Sequence, residues 1–299
     1  AAITFFILNS KELNNQFDNE QVPLVRPLDV NNESEKPLLL NEGEISSIDS
    51  TRQSASNSEQ LIFVERPNVK IDEKLSSVIE TLKLSADSGN NEAAYILAIN
   101  LRTCNATPSN VIGLEEKLQQ ESEYNDNGAA IRKTSERYEF CAGVDANQRI
   151  QFYNYLETAA KNGYAPAQEF MATITPKQFL ELNGYSGLAR EELITKRGEF
   201  IEQKIIFLES ASKQGSIRAL TRLSKMNYSQ NAGKDARIDA YSNNKIILEL
   251  TDSNYLYGRY SRYQQNLKSQ LSPVEIEQAL IVSNEWLKII KINGTLASK

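Results

Sequence analysis

The sequence contains no histidine, only two cysteines and a single tryptophan among its 299 residues. Without histidine, the chain cannot build a Ser-His-Asp or Cys-His catalytic site, a histidine general base or an imidazole metal site. Cys104 and Cys141 alone are too few for a structural zinc site. No glycine-rich phosphate loop and no G-x-S-x-G nucleophile motif occurs. These absences argue against an enzyme, and we expect no cofactor and no metal.

Neither part of the chain has a marked excess of basic residues. Residues 1–80 carry 14 acidic and 7 basic side chains, the remainder carries 25 and 26, and the overall net charge is −6. A protein that binds nucleic acid usually concentrates lysine and arginine on one surface. The charge pattern therefore predicts no nucleic-acid partner.

Long apolar runs are also missing. The first ten residues, AAITFFILNS, are too short to span a bilayer. We interpret them as the end of a signal peptide or membrane anchor, which predicts a periplasmic or otherwise extracytoplasmic protein that an inner-membrane anchor would tether. An ordinary strand at a terminus is the alternative interpretation.

The next sixty residues are polar and contain half of the eight prolines. Such a composition buries too little apolar surface to offset chain entropy. We expect residues 1–70 to form this apolar remnant and a flexible, largely disordered acidic arm, with one short strand at LIFVE (61–65). A helical domain should occupy residues 71–299.

Helical periodicity begins near residue 69, and one motif recurs. LETAAKNGYAPAQEFMA (156–172) has two relatives, LKLSADSGNNEAAYILA (82–98) and LESASKQGSIRALTRLS (208–224). Each has a leucine seven residues before the glycine, a small residue three before it, an alanine four after it and Leu or Met eight after it. Glycine favours the left-handed end of a helix, and alanine lets a second helix approach closely. The repeat positions are Gly89, Ala93, Gly163, Ala167, Gly215 and Ala219.

This recurrence predicts an all-α protein. Each motif reads as a helix–turn–helix unit whose apolar face needs a neighbour, which is typical of an α-solenoid. Capping boxes mark the starts of further helices at Thr175 and Ser272. The helix in SPVEIEQALIVSNEWLKIIK (272–291) should be the capping helix that ends the array, because its apolar residues form one stripe.

The three copies resemble the Sel-one-like repeat family, an α-solenoid relative of the tetratricopeptide repeats. The resemblance covers roughly residues 75–290, although Ser85 and Ser212 replace one alanine of the usual pair. It implies a non-catalytic scaffold or adaptor of the bacterial cell envelope that recognises a protein partner on the concave face. An immunity protein that neutralises a secreted antibacterial toxin is an alternative function, and an envelope hydrolase is a less favoured one.

The two cysteines flank an irregular stretch between the first two motifs. A bridge between Cys104 and Cys141 would close a loop of about 38 residues, worth about 4 kcal/mol in the chain-entropy model. It would also imply an oxidising compartment, as does the resemblance, since exported members often carry one disulfide. Two unrelated reduced cysteines are the alternative.

The segment NYLYGRYSRYQQNLK (254–268) interleaves tyrosine with arginine. These two residue types dominate binding hot spots. The predicted partner contacts are Tyr153, Tyr257, Arg259 and Tyr260. Tyrosines that simply pack between helices remain the main alternative, and stacking on single-stranded nucleic acid is a weaker one.

Overall fold

The computed structural model of the protein describes residues 62–124, 128–227 and 234–296. Within these ranges the chain is almost wholly helical, which confirms the all-α prediction. The predicted apolar remnant and nearly all of the predicted arm lie outside the described residues. The helices are α1 (Leu75–Asp87), α2 (Asn91–Asn105), α3 (Val111–Tyr124), α4 (Ala129–Phe140), α5 (Ala146–Ile150), α6 (Phe152–Lys161), α7 (Ala165–Met171), α8 (Pro176–Leu182), α9 (Arg190–Lys213), α10 (Ile217–Asn227), α11 (Lys234–Leu250), α12 (Asn254–Lys268) and α13 (Pro273–Asn293).

The three repeat glycines lie in the same kind of turn. Each has a positive φ, of +96° at Gly89, +85° at Gly163 and +75° at Gly215. Each glycine N–H donates to the carbonyl three residues back, and the following N–H donates to the carbonyl five residues back, at 2.9–3.1 Å. This pair of bonds satisfies carbonyls that a helix end would otherwise leave without partners. The turns join α1 to α2, α6 to α7 and α9 to α10.

Small side chains line the contacts that these turns create. Ala160, Ala167 and Ala219 have no exposed surface, and Ala93 is only 6% exposed. The second helix of each hairpin packs against the first helix of the next one, since α2 contacts α6, α7 contacts α9 and α10 contacts α11. The apolar core therefore continues from one hairpin to the next along the chain.

Local capping signals place several helix ends. The Thr175 side chain accepts from the Gln178 N–H, and Ser272 accepts from Glu275 in the same way. Both capping boxes are complete, as the sequence predicts. The last helix, α13, packs against α11 and returns to α9, with Ala279, Ser283 and Ile290 buried on one stripe.

A hairpin of α3 and α4 fills the irregular stretch between the first two motifs. None of its described side chains is buried, and these two helices mainly contact each other. Cys104 at the end of α2 and Cys141 just after α4 form a disulfide, which confirms the predicted bridge. The bridge joins the base of this hairpin to the body of the protein.

Residues 62–71 lie against the helices as an extended segment, which we call the strap. Its strand β1 (Phe63–Val64) pairs in parallel with β2 (Thr295–Leu296) after α13. The strand predicted at 61–65 is therefore present, but shorter. The prediction that the arm extends to residue 70 is wrong for residues 62–70, because these residues pack on the helical domain. Arg66 and the pairing of β1 with β2 hold residues 62–70 in place, although the composition of this segment alone indicates disorder.

No helix in the described part of the chain is both long and apolar enough to cross a bilayer.

Candidate protein-binding surface

The structure divides the four predicted partner contacts into two groups. Tyr257 is 55% exposed and Arg259 also lies at the surface, whereas Tyr153 and Tyr260 are only 3% and 4% exposed. The last two therefore belong to the core and present no ring to a partner. The prediction that Tyr153 and Tyr260 contact a partner is therefore wrong. Both rings pack between helices, which is the alternative that the sequence also allowed.

Tyr153 belongs to an aromatic cluster between α6, α8 and α9. Its ring lies 6.4 Å from that of Phe179, which in turn stacks on Phe200 at 4.2 Å. The Tyr153 hydroxyl donates to Glu157 at 3.5 Å. Burial is the main cause that raises the pKa of this hydroxyl, and the Glu157 carboxylate adds to it.

Tyr260 anchors the buried side of α12. Its hydroxyl donates to the Thr221 carbonyl in α10 at 3.4 Å, and its ring meets that of Tyr263 edge to face at 5.5 Å. Burial raises the pKa of Tyr260. The anchoring fixes which side of α12 faces outward.

The outward side of α12 carries large, exposed side chains. Tyr255 is 71% exposed, and Arg259 and Arg262 are exposed as well. Since residues three and four apart share a helix face, Tyr255, Arg259 and Arg262 form one stripe. Tyr257 lies on the other flank of the exposed surface. Tyr255 and Arg262 are not among the four predicted contacts, although their helical spacing from Arg259 places them on its face.

Arg259 is held in place by its neighbours on α12. Its Nε donates to the Tyr263 hydroxyl at 3.2 Å, and its guanidinium carbon lies 5.5 Å from the centre of that ring. The hydrogen bond with Tyr263 is the largest cause that raises the pKa of Arg259, and a bond with Tyr255 adds to it. An arginine ordered in this way loses less side-chain entropy on binding than a free one.

A buried arginine braces the protein beside the disulfide. Arg149 donates from Nη1 to the carbonyls of Cys104 and Thr107 at 2.9 Å, from Nη2 to Cys141 at 3.3 Å and from Nε to Val144 at 3.0 Å. Burial lowers its pKa. Its charge lies at the C-terminal ends of α2 and α4, where the helix dipoles favour a cation. This side chain is structural, and nothing in its sequence context indicated it.

The strap is clamped at several successive points. Val69 accepts a hydrogen bond from Asn100 Nδ2 in α2 at 2.9 Å, and Arg66 forms two bonds with Glu169 in α7. Glu169 also accepts from Ser216 at the start of α10. The strap thus runs from α7 to α2, the second helices of the second and first hairpins, in the reverse of their chain order.

One shallow hollow of about 430 Å³ opens beside the end of the strap, between the start of α1 and α4. Its lining is Asp72, Glu73, Lys74, Ser135, Glu136, Glu139 and Phe140. Lys74 lies 3.7 Å from Glu139 across it. In the part of the chain that the structure describes, no group of three or more His, Cys, Asp or Glu side chains is arranged to hold a metal ion.

No protein-family model, no curated protein and no solved structure matches this chain.

Proposed function

We propose that this protein is a non-catalytic, protein-binding scaffold of the bacterial cell envelope, built as a Sel-one-like α-solenoid. The equivalent turns at Gly89, Gly163 and Gly215 support the architecture, because they give three hairpins the same local geometry. Contacts between successive hairpins support it further. A solenoid of this kind recognises proteins by a preformed surface.

The disulfide supports the extracytoplasmic location. Cys104 and Cys141 have no exposed surface and join the base of the α3–α4 hairpin to α2. Disulfides of this structural kind persist in oxidising compartments such as the periplasm. We also propose anchoring at the inner membrane, and the support for it is the apolar sequence of the first ten residues.

The strap restricts where a partner binds. It lies against α2 and α7, so the surface around Asn100 and Glu169 is occupied by the protein's own chain. The concave face of the proposed solenoid and the exposed side of α12 are then the surfaces open to a partner.

The observation that carries the proposal is the exposure of Tyr257 and Arg259 on a helix whose other side is fixed by Tyr260. Tyrosine and arginine that lie close together on one exposed helix surface form the kind of patch in which binding hot spots are enriched. They are also the residue types that contribute most to binding free energy.

Site-specific photo-crosslinking in the native host tests the proposal. A photoreactive residue replaces Tyr257, and the matched control replaces Leu84, which is 73% exposed on α1. We expect a discrete adduct with an envelope protein from position 257 and none from position 84. The absence of adducts from position 257 and from positions on the concave face would contradict a binding scaffold, as would turnover of peptidoglycan by the purified protein.

A further inference from the structure

The cations of α12 have no acidic residue on their own helix, as is also the case on α10. On most helices with exposed lysine or arginine, an acidic residue one turn away forms an ion pair. These pairs include Lys117–Glu121, Arg132–Glu136, Lys161–Glu157, Lys177–Glu181, Lys196–Glu199 and Lys245–Glu249. The helix α12 has Arg259, Arg262 and Lys268 but no aspartate or glutamate.

These three cations also find no acidic partner on neighbouring elements. Among the described residues, none of Arg259, Arg262 and Lys268 lies within ion-pair distance of a carboxylate. In a chain with a net charge of −6, α12 therefore carries three positive charges that no described carboxylate neutralises. Its field favours the approach of a negatively charged group.

The stripe of Tyr255, Arg259 and Arg262 combines this charge with an ordered geometry. Arg259 is held by its bond with the Tyr263 hydroxyl, and Tyr255, one turn earlier on the same face, is 71% exposed. A guanidinium offers paired N–H donors that match the two oxygens of a carboxylate. Two arginines one turn apart therefore suit two carboxylates on adjacent turns of a helix or on the same face of a strand.

We propose that the stripe Tyr255–Arg259–Arg262 is a docking surface for an acidic protein segment, in which two carboxylates bind the arginines and an apolar or aromatic side chain packs on Tyr255. This proposal rests on the proposed binding function and specifies its partner. A protein segment fits better than nucleic acid, because three cations on one helix of an acidic protein do not form the extended basic track that a phosphate backbone needs.

Fluorescence anisotropy with the full-length protein tests the docking surface. The probe is a short labelled peptide that contains glutamate pairs and one leucine, and its counterpart has glutamine in place of every glutamate. We expect the wild type to bind the glutamate peptide and not the glutamine peptide. Binding should weaken with rising salt, since exposed charges are screened.

Variants on α12 distinguish a specific role of the two stripe arginines from an effect of the overall positive charge of the helix. Arg259→Gln/Arg262→Gln should weaken binding by about tenfold or more, because two charge-assisted hydrogen-bonding groups are lost. Lys268→Gln is the matched control, since it removes an exposed positive charge on another face of the same helix. Tyr255→Ala should weaken binding as well, and circular dichroism should show unchanged helix content in all variants.

Several results would overturn the proposal. One is equal loss of affinity in Lys268→Gln and in the double variant, and another is equal binding of both peptides. Tighter binding of single-stranded DNA or of anionic vesicles than of the glutamate peptide would assign the stripe to another class of ligand. The photo-crosslinking experiment can be repeated with Arg259→Gln/Arg262→Gln present. If position 257 still forms the same adducts, the proposed docking surface is wrong, while the proposed scaffold function is unaffected.

Discussion

Arg66 and Glu169, which are 103 residues apart in the chain, face each other as a two-point ion pair. Arg66 Nη1 lies 2.6 Å from Glu169 Oε2, and Nη2 lies 2.7 Å from Oε1. Their side chains are only 11% and 7% exposed. This pair fixes the strap to α7.

Breaking the pair from one side should destabilise the protein strongly. We expect Arg66→Met to lower the free energy of unfolding by about 3 kcal/mol, because Glu169 would stay buried without its counter-charge. Urea denaturation followed by circular dichroism measures this. The control is Lys245→Met, which breaks an exposed pair with Glu249 and should cost less than about 1 kcal/mol.

The double variant Arg66→Met/Glu169→Leu should recover most of that loss, since no buried charge remains unpaired. If Arg66→Met and Lys245→Met cost the same, the strap would not be anchored through this pair.

The turn glycines should differ in their tolerance of alanine. At Gly215 a Cβ would lie 2.4 Å from the Gly294 carbonyl oxygen, whereas at Gly89 it would meet nothing within 4 Å. Both have positive φ, so Gly89→Ala should cost about 1–2 kcal/mol from backbone strain alone. Gly215→Ala should cost clearly more, because β2 crosses directly over the turn. Equal melting temperatures for the two variants would contradict the crossing.

Removal of the disulfide should loosen the α3–α4 hairpin first. No described side chain of α3 or α4 is buried, so their attachment depends mainly on Cys104–Cys141, with support from Arg149 at the Cys141 carbonyl and from a contact of α4 with α2. For Cys104→Ala/Cys141→Ala we expect faster hydrogen exchange and proteolysis between residues 105 and 140. The free energy of unfolding should fall by up to about 4 kcal/mol.

Treatment of the wild type with dithiothreitol should reproduce this pattern and leave the double variant unchanged. A hairpin equally protected with and without the bridge would show that packing alone holds it.

Alkaline pH should destabilise the protein partly through Tyr153. Burial raises the pKa of its hydroxyl above the ordinary tyrosine value of 10.0, so the folded state favours the neutral form. Its contribution is fully present below pH 10 and is lost as the pH rises through the folded pKa. Tyr153→Phe should therefore lose less stability above pH 10 than the wild type. Tyr257→Phe, at an exposed ring, is the control, and an identical pH dependence for all three proteins would exclude this contribution.

Sequence reasoning succeeded where the signals are local. The glycine turns, the capping boxes at Thr175 and Ser272 and the apolar stripe of α13 each depend on residues within a few positions of one another. Such patterns reflect backbone geometry and helix periodicity, so a single sequence reveals them.

Long-range features gave no such signal. The strap depends on Arg66 meeting Glu169, and neither residue belongs to a periodic pattern. The helix α11 was not predicted, because Ser242, Asn243 and Asn244 are buried where apolar residues are expected. Tyr260 and Tyr255 differ in exposure because α12 packs on α11 and turns Tyr260 toward Thr221 of α10, which composition does not reveal.

The strap should also change the order in which parts of the protein unfold. An ordinary row of repeats frays from either end, because each unit touches only its neighbours. Here the parallel pairing of Val64 with Leu296 joins the two ends of the described chain, while Asn100 and Glu169 bind the span between them. We therefore expect the two ends of the described chain to unfold together rather than to fray separately.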